Sequence, residues 1–167
     1  MRRVLACTLL LGLLTGCGIE RTEVIEFGQP ATGVKKPGAP GWGARLYFAV
    51  VSGAVMLSSR PADGPVGADR AVLLLLEGPN DAERARGLFS EVPINSGMKK
   101  GLSVTTERGR VSIQLPMDVA RLTHPARMQL VCTAAHNEVP GSVSWRDVKV
   151  TLSGGGKKQP DLTCDRA

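Results

Sequence analysis

A run of six apolar residues at positions 71–76 is followed, after Glu77, by the pair Gly78-Pro79. Leucines fill its last four positions, and unbranched side chains favour a helix over a strand. Four consecutive leucines cover most of the circumference of a helix, so this helix should lie in the core. Glycine can adopt the left-handed conformation just past a helix, and proline cannot continue one. We therefore expect a buried helix that ends at Gly78.

A second, shorter helix is expected directly after this break. Asn80 and Glu83 have the spacing of a capping box, in which the two residues cap each other's backbone N–H groups. Gly87 would end this helix, and Leu88 would return to the core.

Two hairpins frame the helices. Residues 45–51 and 54–58 are rich in strand-forming residues around Ser52-Gly53, and residues 102–107 and 110–115 alternate around Arg108-Gly109.

A further helix should begin near Thr123 or His124, because Pro125 suits its first turn. Residues 143–152 resemble a last strand, and the glycines at 154–156 are expected to form a flexible connector. The order is ββαββαβ. It predicts a single small α/β (α+β) domain, with a mixed or antiparallel sheet packed against two helices.

The N-terminus has the pattern of a secretory leader. Arg2 and Arg3 precede an apolar stretch at 4–14 that is too short to span a bilayer. Residues 14–17, Leu-Thr-Gly-Cys, resemble the lipobox of bacterial lipoproteins, in which Cys17 would carry a diacylglyceryl group. The alternative is an ordinary secretory signal with an incidental Cys17. We expect a signal peptide at 1–16, a lipid-anchored tether at 17–43, a domain at 44–153 and a tail at 154–167.

The charge of the mature chain is modest. Loss of Arg2 and Arg3 leaves 19 basic and 15 acidic side chains, a net charge of +4. The basic residues are scattered and form no stripe interleaved with aromatic residues, so we exclude nucleic acid as a partner.

Two cysteines remain available, because Cys7 would be removed with the leader and Cys17 would carry the lipid. Cys132 and Cys164 are free to pair in an extracytoplasmic compartment, and the disulfide would hold the tail. The alternative is metal capture by Cys132, His136 and Cys164. His124 and His136 diverge by about 120° on the same helix and cannot share an ion. We expect no metal and no cofactor.

No constellation of catalytic side chains is evident. The two histidines have no nucleophile partner, and no serine lies in a G-x-S-x-G turn. The aromatic residues belong first to the core, apart from Trp42 in the tether. We predict that the protein is not an enzyme.

The segment from residue 74 to 93 resembles the signature of the sporulation and spore-germination (GerMN) domain. Weaker similarities lie in residues 46–48 with Arg60, and in the last helix. The residues that carry the signature are Leu76, Gly78, Pro79, Glu83, Gly87, Leu88, Pro93, Gln129 and Thr133. The resemblance implies a small module similar to the ring-building domains of secretion and sporulation assemblies, with a structural or regulatory role.

Together these features predict a non-catalytic interaction module anchored on the extracytoplasmic face of the cell membrane, in an envelope or sporulation-related assembly. Its partners would be the membrane, through Cys17, and envelope proteins, and a homo-oligomer is left open. The alternative is a small-ligand-binding lipoprotein that serves a transporter or a sensor kinase.

Overall fold

Two hairpins with glycine at the turn supply the first four strands. The computed structural model describes residues 42–93 and 98–165. Gly53 and Gly109 have φ angles of 82° and 65°, a conformation that tight hairpin turns require and that glycine adopts at little cost. Both predicted hairpins are confirmed. The elements are β1 (Gly43–Ala49), β2 (Val55–Pro61), α1 (Ala68–Leu76), α2 (Asp81–Ala85), α3 (Met98–Gly101), β3 (Ser103–Glu107), β4 (Arg110–Gln114), a 3-10 helix (Val119–Arg121), α4 (His124–Ala135), β5 (Lys149–Gly154) and β6 (Lys157–Leu162).

The strands form two sheets. β1 and β2 form an antiparallel pair, and a separate sheet has the order β3-β4-β5-β6. β4 and β5 are parallel, whereas the two outer pairs are antiparallel. Parallel neighbours need a long crossover connection, and the segment that contains α4 provides it.

The helix boundaries follow the local sequence. Gly78 has a φ of 82° just past α1, as predicted. The Asn80 side chain accepts a hydrogen bond from the backbone of Glu83 while the Glu83 side chain accepts one from the backbone of Asn80, so the capping box is confirmed. Thr123 caps α4 by accepting a hydrogen bond from the backbone of Ala126, with proline in the first turn.

The C-terminal residues differ from the prediction. The expectation of a flexible connector at 154–156 is wrong, because Gly155 and Gly156, with φ of 58° and 73°, turn the chain sharply into β6. A Cβ atom on Gly154 would collide with the carbonyl oxygens of Leu115 and Met117. The last predicted strand also begins later, at Lys149. β6 is polar and contains Pro160, which an edge strand tolerates, so its sequence did not indicate a strand.

The core lies between the sheets and the two longer helices. Its largest fully buried side chains come from β1, α1, α4 and the inner strands β4 and β5, and include Leu46, Phe48, Leu75, Leu76, Ile113, Leu130 and Leu152. The predicted class, a single small α+β domain, is confirmed.

Candidate functional site

Arg60 and Glu83 form an ion pair between β2 and α2. Arg60 Nη2 lies 2.6 Å from Glu83 Oε2, and Arg60 Nε donates to Glu83 Oε1 at 3.1 Å. The Glu83 side chain is 3% exposed and that of Arg60 is 19% exposed. Two parallel hydrogen bonds of this kind are strong and fix the orientation of both groups.

Three further groups complete this network. Ser58 Oγ donates to Glu83 Oε1 at 2.8 Å, and the Asn80 backbone N–H donates to Glu83 Oε2 at 2.7 Å. Arg60 Nη2 also donates to the carbonyl oxygen of Gly78 at 2.7 Å. The break after α1 is therefore tied to β2 through buried side chains.

The electrostatics keep Glu83 ionised. Burial by itself would raise the pKa of this carboxyl, but the hydrogen bonds from Arg60, Asn80 and Ser58 outweigh burial and lower the pKa. A carboxylate held in this way stabilises the fold and is a poor proton donor at neutral pH.

The other signature residues of this segment serve packing and turns. The side chains of Leu76 and Leu88 are buried. Gly87 has a φ of 77° at the end of α2, where it turns the chain back towards the core. Pro79 is half-buried, and Pro93 is exposed at the end of a described segment. Glu83 and Gly78 are the members of this group that join the Arg60 network.

Polar side chains from α4 close one edge of β1. Thr133 Oγ1 accepts a hydrogen bond from Tyr47 N at 3.0 Å, and Gln129 Nε2 donates to Tyr47 O at 3.3 Å. Gln129 and Thr133 are fully buried. The two signature residues on α4 therefore occupy the positions that a neighbouring strand would take.

Asn137 extends this arrangement by one more turn, and sequence reasoning missed it. Its Oδ1 accepts from Arg45 N at 3.0 Å, and its Nδ2 donates to Arg45 O at 2.8 Å. Gln129, Thr133 and Asn137 are spaced by four residues, which indicates that the three polar side chains share one face of α4 and the turn after it, but this spacing does not identify β1 as their partner.

The outer edge of β2 has no such cover. In the part of the chain that the structure describes, β2 pairs with β1 and with no other strand. Met56 and Leu57 on β2 are 48% and 45% exposed, and Val51 at the hairpin turn is almost fully exposed. The hairpin thus presents an open edge with apolar side chains.

His136 lies in an aromatic cluster at the end of α4. Its ring stacks on Trp145, with ring centres 4.2 Å apart, and lies 4.8 Å from the ring of Tyr47. Burial lowers the pKa of His136, and the charges of Arg45 and Arg146 lower it further, against the opposing effect of its hydrogen bond with the carbonyl of Cys132. The lowered pKa favours the neutral form of this imidazole.

A cavity of about 220 Å³ lies beside this cluster. Trp42, Arg45, His136 and Glu138 are among its lining residues. Trp42, the last residue but one of the predicted tether, therefore lies against the domain.

Cys132 and Cys164 form a disulfide, as predicted, across a separation of 32 residues. Both sulfur atoms that the metal alternative needed are therefore bonded to each other. Within residues 42–93 and 98–165, no group of three or more His, Cys, Asp or Glu side chains is placed to hold a metal ion.

The predicted lipidation site, Cys17, lies outside the described residues, as do the predicted signal peptide and most of the predicted tether. Among the residues that are described, no helix has the length and apolar character needed to cross a membrane.

Comparison with protein-family models, with curated proteins and with solved structures gives no match for this chain. The candidate site is therefore defined by its own geometry: α4 and the turn after it close one edge of the β1–β2 sheet, and no strand among the described residues pairs with the other edge.

Proposed function

We propose that this protein is a non-catalytic protein-binding module of the cell envelope, anchored on the extracytoplasmic face of the membrane by a lipid on Cys17. The observation that carries the proposal is the open edge of β2. An unpaired strand edge exposes a row of N–H and C=O groups that bind another extended chain.

The chemistry of β2 indicates what kind of segment would bind. Edge strands are usually protected by lysine, by proline or by a bulge. Residues 55–59 carry no charge, and Pro61 stands at the far end of the strand. We therefore expect an extended, uncharged segment of a partner protein to add to β2, with apolar side chains against Met56 and Leu57.

The contrast with β1 supports this proposal. Gln129, Thr133 and Asn137 occupy the edge of β1 with specific hydrogen bonds. Within the described part of the chain, one edge of this two-stranded sheet is closed by specific hydrogen bonds while the other is apolar and pairs with no strand, which is the asymmetry expected of a binding edge.

Two features of the sequence support the finer parts of the proposal. The tetrad at 14–17 supports lipid anchoring. The resemblance of residues 74–93 to the GerMN domain favours a structural or regulatory role in an envelope assembly that is related to sporulation or germination.

Site-specific photo-crosslinking in the native membrane tests the proposal. A photo-reactive residue at Leu57 should capture a defined envelope protein, and one at Thr105, exposed on the edge strand β3 of the other sheet, should not. Met56→Lys should abolish the Leu57 crosslink, because a charge on β2 opposes the addition of a partner strand. The melting temperature should not change, because Met56 is 48% exposed. Equal capture at both positions, or a Leu57 crosslink that survives Met56→Lys, would overturn the proposal.

The second candidate is a small-ligand-binding lipoprotein that serves a transporter or a sensor kinase. The observation that favours it is a second cavity, of about 370 Å³, which is lined by Arg70 and Leu74 of α1 and by the loop after β2.

A further inference from the structure

The larger of two neighbouring cavities lies between α1 and the loop that follows β2. Its volume is about 370 Å³, which falls within the range of 300 to 1,000 Å³ typical of small-molecule sites. Most of its wall is apolar and comes from Ala44, Pro61, Ala62, Pro65, Val66 and Leu74. A ligand in this cavity would bury an apolar body.

Two arginines, Arg60 and Arg70, also line the cavity, and only Arg60 has an acidic partner among the described residues. Arg60 is neutralised by Glu83 through two hydrogen bonds. Arg70 makes no ion pair and no side-chain hydrogen bond with any residue that the structure describes. The cavity therefore carries one uncompensated positive charge.

The position of Arg70 on α1 places this charge at the mouth. Arg70 is exposed, whereas Leu74, one helical turn further on, is half-buried. Residues four apart lie on the same face of a helix, so the guanidinium and the leucine line the same wall. The wall is polar at the solvent side and apolar further in.

We propose that this cavity binds a monocarboxylate with an aliphatic body, with its carboxylate on Arg70 and its chain along Leu74 and Val66. A guanidinium binds a carboxylate through two parallel hydrogen bonds. A single negative charge balances Arg70, whereas a doubly charged phosphate would leave one charge without a partner beside apolar groups. The cavity touches β2 only at its last two residues, Arg60 and Pro61, and the groups assigned to the ligand belong to α1 and the loop before it, so the site does not depend on the proposed protein partner.

Titration of the mature chain, residues 17–167 with Cys17→Ala to prevent lipidation, tests the site. Decanoate is added below its micellar concentration and is followed by calorimetry and by backbone amide NMR. We expect saturable binding, with shifts at Ala62, Val66 and Leu74. Decanol should bind at least tenfold more weakly, because it cannot form the ionic hydrogen bonds.

Variants locate the binding groups. Arg70→Gln should weaken decanoate binding about tenfold or more, whereas Arg86→Gln, which removes an exposed arginine from the end of α2, should leave it unchanged. Leu74→Phe, which fills the cavity, should reduce the binding of decanoate and decanol alike.

The inference would be overturned by no saturable binding of decanoate, by equal affinity for decanoate and decanol, or by full affinity in Arg70→Gln. Shifts confined to Trp42 and His136 would also overturn it, because they would place the ligand in the neighbouring cavity. The crosslinks at Leu57 are a separate measurement, so a failure of either proposal is recognised independently.

Discussion

Arg60 and Glu83 are 23 residues apart in the chain, and their side chains meet through hydrogen bonds of 2.6 and 3.1 Å. The contact joins the end of β2 to the short helix α2. Because the same carboxylate also accepts hydrogen bonds from Ser58 and from the Asn80 backbone, one side chain holds β2, α2 and the break between α1 and α2 together.

Glu83→Gln should therefore destabilise the domain substantially. The substitution leaves the Arg60 guanidinium, which is 19% exposed, without its counter-charge. Loss of one partner of a buried pair costs about 3 to 5 kcal/mol, and the partial exposure of Arg60 places this variant near the lower end. Urea denaturation should show the loss. Arg110→Gln breaks the exposed pair with Asp161 and should cost less than about 1 kcal/mol. Equal effects of the two variants would contradict the assigned role of Glu83.

His136 should make the stability depend on pH near neutrality. The folded state holds its pKa below the ordinary value of 6.5, so the unfolded chain takes up a proton first as the pH falls. The stability linked to neutral His136 is complete above about pH 6.5 and is lost as the pH falls towards the lower folded pKa. His136→Phe keeps an aromatic ring against Trp145 and should flatten this part of the pH profile. His124→Gln, at the exposed start of α4, should leave it in place. An unchanged profile in His136→Phe would exclude His136 as its source.

Thr133→Val should open the edge of β1. The substitution keeps the shape of the side chain but removes the oxygen that accepts from Tyr47 N at 3.0 Å. An unsatisfied N–H group costs about 1 to 3 kcal/mol. We expect that loss in the free energy of unfolding, together with faster hydrogen exchange of the Tyr47 amide. Thr105→Val, at an exposed position of β3, should change neither quantity by more than the scatter of surface substitutions. An unaltered exchange rate of the Tyr47 amide would rule out the Thr133 hydroxyl as the group that protects this amide from exchange.

The double variant Cys132→Ala/Cys164→Ala should lose about 3 to 4 kcal/mol of stability, because the disulfide closes a loop with a separation of 32 residues. Reductant should lower the melting temperature of the parent protein and leave that of the variant unchanged. Thiol counting on the denatured parent should detect no free thiol at Cys132 or Cys164. Detection of both thiols, with a melting temperature that falls on chelation of metal, would favour the metal alternative instead.

Structural elements that depend on residues close together in the sequence were predicted correctly. Asn80 and Glu83 are three residues apart, and the turn glycines Gly53 and Gly109 act on their immediate neighbours. Such interactions form whenever the local chain takes up the conformation, so their spacing in the sequence is sufficient. The Cys132–Cys164 pair was also predictable, because so few cysteines remain once Cys7 and Cys17 are assigned elsewhere.

β6 was missed because its evidence is not local. Its residues are polar, include Pro160, and become a strand through pairing with β5 after the turn at Gly155 and Gly156. Three glycines in a row also occur in flexible linkers, and the close approach of Leu115 and Met117 to Gly154 is visible only in the folded chain.

By itself, the sequence determined where α1 and α2 end, where the hairpins turn and which cysteines pair, since each depends on neighbouring residues or on simple elimination, whereas α3 and the 3-10 helix at Val119–Arg121 were not predicted. The tertiary structure alone decided that Arg60 meets Glu83, that α4 and Asn137 close β1, and that no strand within residues 42–93 and 98–165 pairs with the outer edge of β2. These contacts join residues that are 23 to 92 positions apart. Their partners are chosen by how the helices pack on the strands, and packing on that scale leaves no regular spacing in the chain.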